Sequence, residues 1–185
     1  MSSLVYTTSQ TDEDLLGIMA LQQSNLRTNL SKEDVFNQGF VTVVHTLEDL
    51  RKMNDIEQHI ICKDGDKIVA YLLAMTVQSK NDLPILFPMF EKFEKIQYLD
   101  KPVSQFNYII VGQACINKNY RGQGILDQSY AIFRDRFKDK YDFAITEISC
   151  SNERSLKAHK RIGFFEVYIY QDPGKEEWSV VIWEW

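Results

Sequence analysis

Between residues 107 and 170 the chain switches repeatedly between strand-like and helix-like hydrophobic patterns, and this alternation restricts its fold more than any other feature. Asn107 to Asn117 reads as a strand with an apolar middle, Tyr108-Ile109-Ile110-Val111. Gly112 inside it hints at a bulge or a close backbone approach. Gly122 to Lys138 reads as a helix, with Leu126, Tyr130, Phe133 and Phe137 on one face and Ile125 and Ile132 beside them. Phe143 to Ser149 is a second strand. Asn152 to Ile162 is a second helix, closed by Gly163, and Phe164 to Tyr170 is a third strand.

The flanks supply antiparallel material. Leu4 to Thr8 reads as a strand, and Asp12 to Leu26 as a helix capped by Thr11, with acidic residues at its positive end. Ser31 caps a short helix, and Thr46 to Leu50 starts another. His59 to Lys63 and Lys67 to Val77 form a hairpin around Asp64-Gly65-Asp66. Pro84 and Pro88 flank Ile85-Leu86-Phe87, and a helix is expected from about Met89 to Leu99. The segment Asp82 to Leu99, with Phe87, Met89, Phe90 and Phe93, is either part of a binding-site wall or core. Asp172-Pro173-Gly174 turns the chain into a last strand, Trp178 to Trp185. With no repeat and no linker, residues 1–185 read as one domain, α+β or mixed α/β.

Composition excludes several classes. No apolar run approaches the roughly 20 residues of a membrane span, and the first residues, from Met1 to Tyr6, lack a secretion signal. Cys62, Cys115 and Cys150 are odd in number and far apart, which points to a reducing, cytoplasmic setting. His45, His59 and His159 are scattered, so no metal site is expected. A net charge of −5 argues against a nucleic-acid binder. The acidic excess lies in residues 1–100, whereas Arg154, Lys157, Lys160 and Arg161 crowd one stretch. That stretch is either a home for an anion or a solvated helix face.

The loop Arg121-Gly122-Gln123-Gly124-Ile125-Leu126 joins the first strand of the central unit to its helix. A helix start carries unpaired N–H groups and a partial positive charge. Glycines before it let a ligand reach the backbone, and Arg121 adds a permanent charge, so phosphate oxygens would suit the site. A structural turn would explain the glycines equally well. The loop is not a triphosphate P-loop, since no Gly-Lys-Ser/Thr follows, and it lacks the three-glycine dinucleotide pattern.

This loop resembles the first coenzyme motif of the GNAT superfamily of acetyl-CoA-dependent N-acetyltransferases. That motif is Arg or Gln, two variable residues, Gly, one variable residue, then Gly or Ala. Arg121 and Gly124 match it, while Leu126 stands where a small residue is usual. Asn152-Glu153-Arg154-Ser155-Leu156, then His159, then Gly163-Phe164 resembles the family's second coenzyme-binding helix. The close resemblance covers about residues 107–170. It implies a twisted mixed sheet of about six or seven strands flanked by helices, with a splayed strand pair, Asn107–Asn117 and Phe143–Ser149, along which the coenzyme lies. It implies that Ala114, Cys115 and Ile116 face the pantetheine arm, and that Arg121, Gly122, Gln123, Gly124, Ile125, Leu126, Asn152 and Ser155 contact acetyl-CoA. The implied acceptor is a small-molecule or peptide amine.

In the family's reaction a neutral amine attacks the thioester directly, which requires a base and a proton for the leaving thiolate. By position, His159 is the candidate proton donor, a packing or capping histidine being the alternative. Glu147, a carboxylate in a mostly buried strand, is the candidate base, unless that position is exposed. Tyr108 and Gln113, on the neighbouring strand, are further residues able to touch substrate, though nothing in the sequence singles them out. Cys115 is either a covalent acetyl carrier or a packed core residue. Rival functions are an inactive acyl-CoA-binding sensor of the same fold and a longer acyl donor. A third is an interaction domain using the stretch Trp178–Trp185, which either packs internally or forms a homodimer contact.

Overall fold

The computed structural model describes residues 4–185, apart from the side chains of Phe36, Asn37 and Ile85. Met1 to Ser3, used above to read the N-terminus, and the Ile85 side chain of the apolar patch lie outside the described residues.

The order along the chain is β1 (Leu4–Thr8), α1 (Asp12–Gln23), α2 (Lys32–Gln38), α3 (Leu47–Ile56), β2 (Ile60–Asp64) and β3 (Lys67–Met75). It continues with α4 (Phe87–Phe93), β4 (Gln97–Tyr98), β5 (Lys101–Pro102), β6 (Tyr108–Ile116) and α5 (Ile125–Phe137). β7 (Phe143–Ser149), α6 (Glu153–Ile162), β8 (Phe165–Gln171) and β9 (Glu177–Glu184) complete it.

The N-terminal helices start where side chains can satisfy their free N–H groups. Thr11 and Asp14 form a capping box on α1, and Thr46 and Asp49 form another on α3. Helix α1 ends at Gln23, three residues before the Leu26 expected from periodicity. There the chain leaves the helix to pair with a later segment: Arg27 N–H donates to the Val41 carbonyl at 3.0 Å, and Val41 N–H to the Asn25 carbonyl at 3.0 Å. Helix α4 also departs from expectation. It begins at Phe87, with Pro88 in its first turn where a missing N–H costs nothing, and stops at Phe93. Residues 97–102 instead form a tight hairpin, with Leu99 at φ 44° and Asp100 at φ 64°.

Seven strands form one sheet in the order β1-β2-β3-β6-β7-β9-β8. All pairs are antiparallel except β6–β7, which is parallel. Successive side chains of a strand point to opposite faces, and β6 divides accordingly. Tyr108 and Ile110 join α1, α3 and α4 in one core, with Leu15, Leu50 and Phe93. Ile109 and Val111 join α5 in the other, with Tyr130, Phe133 and Phe137. Burying a side chain such as Phe133, which is inaccessible to solvent, contributes about 1.5–3 kcal/mol. Met89, Phe90 and Phe93 of the uncertain segment are core, and Phe87 is exposed.

The Trp-rich last strand packs within the chain. Trp183 lies against Tyr130 and Phe164, and the Trp185 indole N–H donates to the Tyr141 carbonyl.

Candidate active site

The site begins where two strands part. β6 and β7 are paired only from Tyr108–Phe143 to Ile110–Ile145. Beyond that point β7 continues to Ser149 against β9, while β6 continues to Ile116 against β3. Between Leu72–Ala114 and Ala74–Val111, β6 contains one residue more than β3, so a bulge falls at Gly112–Gln113, as Gly112 suggested. A cleft follows the opening. A small cavity of about 80 Å³ lies between the splayed strands, and a larger one of about 470 Å³ runs along the start of α5. Phe40, Ala114, Ser155 and His159 border both, so the two are contiguous.

The larger cavity has the features of an anion site. Gly122 and Gly124 have φ of 76° and 74°, the left-handed region where glycine is unstrained. A Cβ built on either meets nothing within 4 Å, so the space above the loop is open. Gly124 occupies the N-cap of α5 without any side-chain cap, which leaves the first-turn N–H groups available. Arg154, Lys157 and Arg161 line the rim; Lys157 is paired with Glu153 at 2.9 Å and Arg161 with Asp127 at 2.7 Å. Lys160 is not among the lining residues.

Arg121 and Asn152 have a second task. The Arg121 guanidinium donates to the Ile116 carbonyl at 3.0 Å, the Gln38 carbonyl at 2.8 Å and Asn25 Oδ1 at 2.7 Å. Burial, opposed by the Cys115 thiol and reinforced by Arg154, lowers its pKa. Asn152 Nδ2 donates to the Phe40 carbonyl at 2.9 Å, while its Oδ1 accepts the Ser155 N–H at 3.3 Å and caps α6. Both residues therefore clasp the Gln38–Phe40 segment over the cleft. Gly39 is required there: its φ is 72°, and a Cβ would come within 2.9 Å of Asn152 Oδ1.

Of the coenzyme contacts expected from sequence, Ala114, Cys115, Ile116, Arg121, Gly122, Gly124, Ile125, Leu126, Asn152 and Ser155 all border the larger cavity. Gln123 does not; it is exposed and donates to the Asn119 carbonyl at 3.3 Å. Leu126 is half-buried and packs against the α5 core.

Glu147 borders the smaller cavity, between the parted strands. Its pKa is raised to about 7, mainly by burial and further by Asp172, against the opposing effect of a hydrogen bond from Tyr170. The Tyr170 hydroxyl donates to Glu147 Oε2 at 2.5 Å. His159 is buried, and burial pushes its pKa down to about 4. Its Nδ1 lies 2.8 Å from the Ser155 carbonyl, which only accepts, so Nδ1 carries the proton. Nε2 therefore accepts from the Tyr130 hydroxyl at 2.7 Å. Burial raises the Tyr130 pKa, so this hydroxyl stays protonated. Cys115 is buried and its thiol is pushed up to about 12, which leaves it without thiolate at neutral pH. Gln113 borders the smaller cavity, but its side-chain amide is committed, accepting from Gln22 at 3.1 Å and Tyr71 at 2.5 Å and donating to the Val43 carbonyl at 3.0 Å. Tyr108 is buried in the core under α4.

No family model and no curated protein matches the sequence. Solved structures do match along the whole chain. The NatC complex bound to Gag peptide and CoA contains a chain 14% identical, with TM-score 0.66, covering 99% of each chain. The ribosomal-protein-S18-alanine N-acetyltransferase of Escherichia coli is 12% identical, with TM-score 0.63, over 98% of this chain and 94% of that one. Arabidopsis thaliana Naa50, in complex with the bisubstrate analogue CoA-Ac-MVNAL, is 14% identical, with TM-score 0.63, over 99% of each. A chain described as belonging to the GNAT family is 9% identical at TM-score 0.65. The fold is that of the GNAT acetyltransferases.

Within this GNAT fold, three participants were not legible in the sequence. The Gln38–Val41 segment lines the cleft because Arg121 and Asn152 hold its carbonyls. Tyr130 was assigned to a hydrophobic helix face, yet its hydroxyl reaches His159. Tyr170 lies on β8, separated from β7 by β9. Nothing in the spacing signals that it crosses to Glu147. Among the described residues, no group of three or more His, Cys, Asp or Glu is placed to hold a metal, and no helix is long and apolar enough to cross a membrane.

Proposed function

We propose that this protein is an N-acetyltransferase that passes the acetyl group of acetyl-CoA to a primary amine by direct attack in a ternary complex. The carrying observation is the parting of β6 from β7 beside an uncapped, glycine-led helix start. The edge of β6 that β7 leaves unpaired beyond Ile110, beside Ala114 and Cys115, suits the amide-bearing pantetheine arm. The first-turn N–H groups of α5 suit the pyrophosphate. The residues present thus fit this co-substrate, with no metal called for.

Glu147 is the group we assign to accept the amine proton. A carboxyl titrating near 7 is matched to that task at neutral pH. His159 borders the cleft as a neutral imidazole whose Nδ1–H is given to the Ser155 carbonyl and whose Nε2 accepts from Tyr130, so it serves the leaving thiolate only by exchanging the Ser155 bond, not as an imidazolium donor. His159→Ala should therefore lower turnover more than acetyl-CoA affinity; equal turnover would remove the residue from the mechanism. Peptides are bound in the NatC and Naa50 structures. That supports testing peptide N-termini beside small amines as acceptors.

The test is the melting temperature with saturating acetyl-CoA, against coenzyme A and ATP. Ligand at about 100 times its dissociation constant adds roughly 2.7 kcal/mol, a rise on the order of 5–10 °C for a domain of this size. A rise with acetyl-CoA but not ATP, followed by amine-dependent thiol release, supports the reading. No rise sinks it. Binding without thiol release across peptides and small amines would instead favour an acyl-CoA sensor.

A further inference from the structure

We infer that Tyr170 is a positioning residue for the reaction, holding the Glu147 carboxylate in the mouth of the splayed strands through its hydroxyl. This rests on the acetyltransferase reading above and adds a residue to it. The geometry is direct: the phenol of β8 reaches across β9 and donates to Glu147 Oε2 at 2.5 Å, a bond that does not involve Oε1.

Tyr170 is itself fixed. It is half-buried, packs against the core of α1, α3 and α4, and stacks near Tyr168 at 6.5 Å between centroids. The Lys92 ammonium lies over its ring, 5.1 Å from the centroid. At the adjoining turn, Asp172 accepts the Trp178 indole N–H at 3.0 Å, and Trp178 pairs with Tyr170 in the β8–β9 register. A hydroxyl held this way restricts a Glu side chain that otherwise has three rotatable bonds and a cleft to move in.

The charges around Glu147 decide which way the bond acts. From β8 and its turn come Tyr170 and Asp172; from α6 comes His159, neutral; from α4, Lys92 faces the ring of Tyr170. The neighbours on β6 and β9, Gln113, Val180 and Trp178, are uncharged. Burial and Asp172 favour the protonated carboxyl, whereas the Tyr170 hydroxyl favours the carboxylate. Burial and Glu147 in turn raise the phenol's own pKa, so it remains a donor throughout the working range. Tyr170 thus keeps the base ionised at a pH where burial alone would protonate it.

The experiment compares wild type, Tyr170→Phe and Glu147→Gln. It combines the pH profile of kcat/KM with a direct titration of Glu147 by carbon NMR of labelled glutamate carboxyls. Tyr170→Phe should move both the acid limb and the NMR titration upward by about one pH unit. At pH 7 that lowers kcat/KM about fivefold, recovering at higher pH, with the acetyl-CoA melting shift unchanged. An unmoved Glu147 titration in Tyr170→Phe overturns the inference, whether or not activity falls. If Glu147→Gln keeps full activity, the assignment of Glu147 as base fails and with it the role of Tyr170; if acetyl-CoA fails to bind the wild type, the acetyltransferase reading is what fails. The NMR titration still judges the Tyr170 bond in that case.

Discussion

The two edges of β6 carry the same backbone chemistry to opposite ends. Toward β3 the strand is registered from Ile110 to Ile116, and its floor is sealed by Gln22, Tyr71 and Gln113. Toward β7 the pairing stops after Ile110, and Ala114–Ile116 face a cavity. Backbone groups left without partners inside a protein cost free energy unless water or a ligand satisfies them. The closed edge therefore carries stability, and the open edge is where the proposed coenzyme would supply the missing partners.

The largest expected effect tests the open edge. Glu147→Gln should cut turnover about 100-fold or more while leaving acetyl-CoA affinity within about twofold. Steady-state kinetics and calorimetry check it, and undiminished turnover would remove Glu147 from the proton transfer.

Acid tests both edges together. Burial pushes His45, His59 and His159 down to about 4 from 6.5. The folded chain then binds fewer protons than the unfolded one between those values, so this stability is present above 6.5 and lost as pH falls toward 4. Each histidine should cost about 3 kcal/mol by pH 4. Urea unfolding across pH 7.5 to 4.5, at about half-unit steps, would measure the slope. His45→Gln should flatten it by nearly one proton, and an unchanged slope would contradict the buried neutral state.

Gly124→Val targets the open edge through backbone strain, because φ is 74° there and a β-branched residue resists it by about 1–2 kcal/mol. We expect the acetyl-CoA dissociation constant to rise about 5- to 30-fold, read by calorimetry on a variant that still melts cooperatively. Gln22→Leu does the reverse on the closed edge. It leaves the His45 N–H and Gln113 Oε1 short of a partner and should cost about 1–3 kcal/mol in urea unfolding. Acetyl-CoA affinity should not change. A large loss of affinity in Gln22→Leu would mean that the two edges are coupled and the contrast is false.

How much of this was legible varies with the range of the interaction concerned. Thr11 and Ser31 cap their helices as read, and the helix start read at Thr46 to Leu50 is there with Thr46 as its cap, because capping is settled within four residues. The strands Leu4–Thr8 and Phe143–Ser149 fall where their patterns placed them. Helix α1 ended early because Leu26 pairs with Val41, a contact between segments that local periodicity does not register. The same limit hid Tyr170 and the Gln38–Val41 segment, whose roles depend on bonds spanning many residues.

The sequence by itself determined the order of the main strands and helices outside residues 82–105, the glycine-led start of α5 and the chemistry available along the cleft, since these follow from local periodicity, backbone freedom and side-chain type. Only the tertiary structure decided where β6 leaves β7, which carbonyls occupy Arg121, and the protonation states of Glu147 and His159. Those depend on burial and on partners distant in the chain, and desolvation is a property of the packed interior rather than of any residue in it.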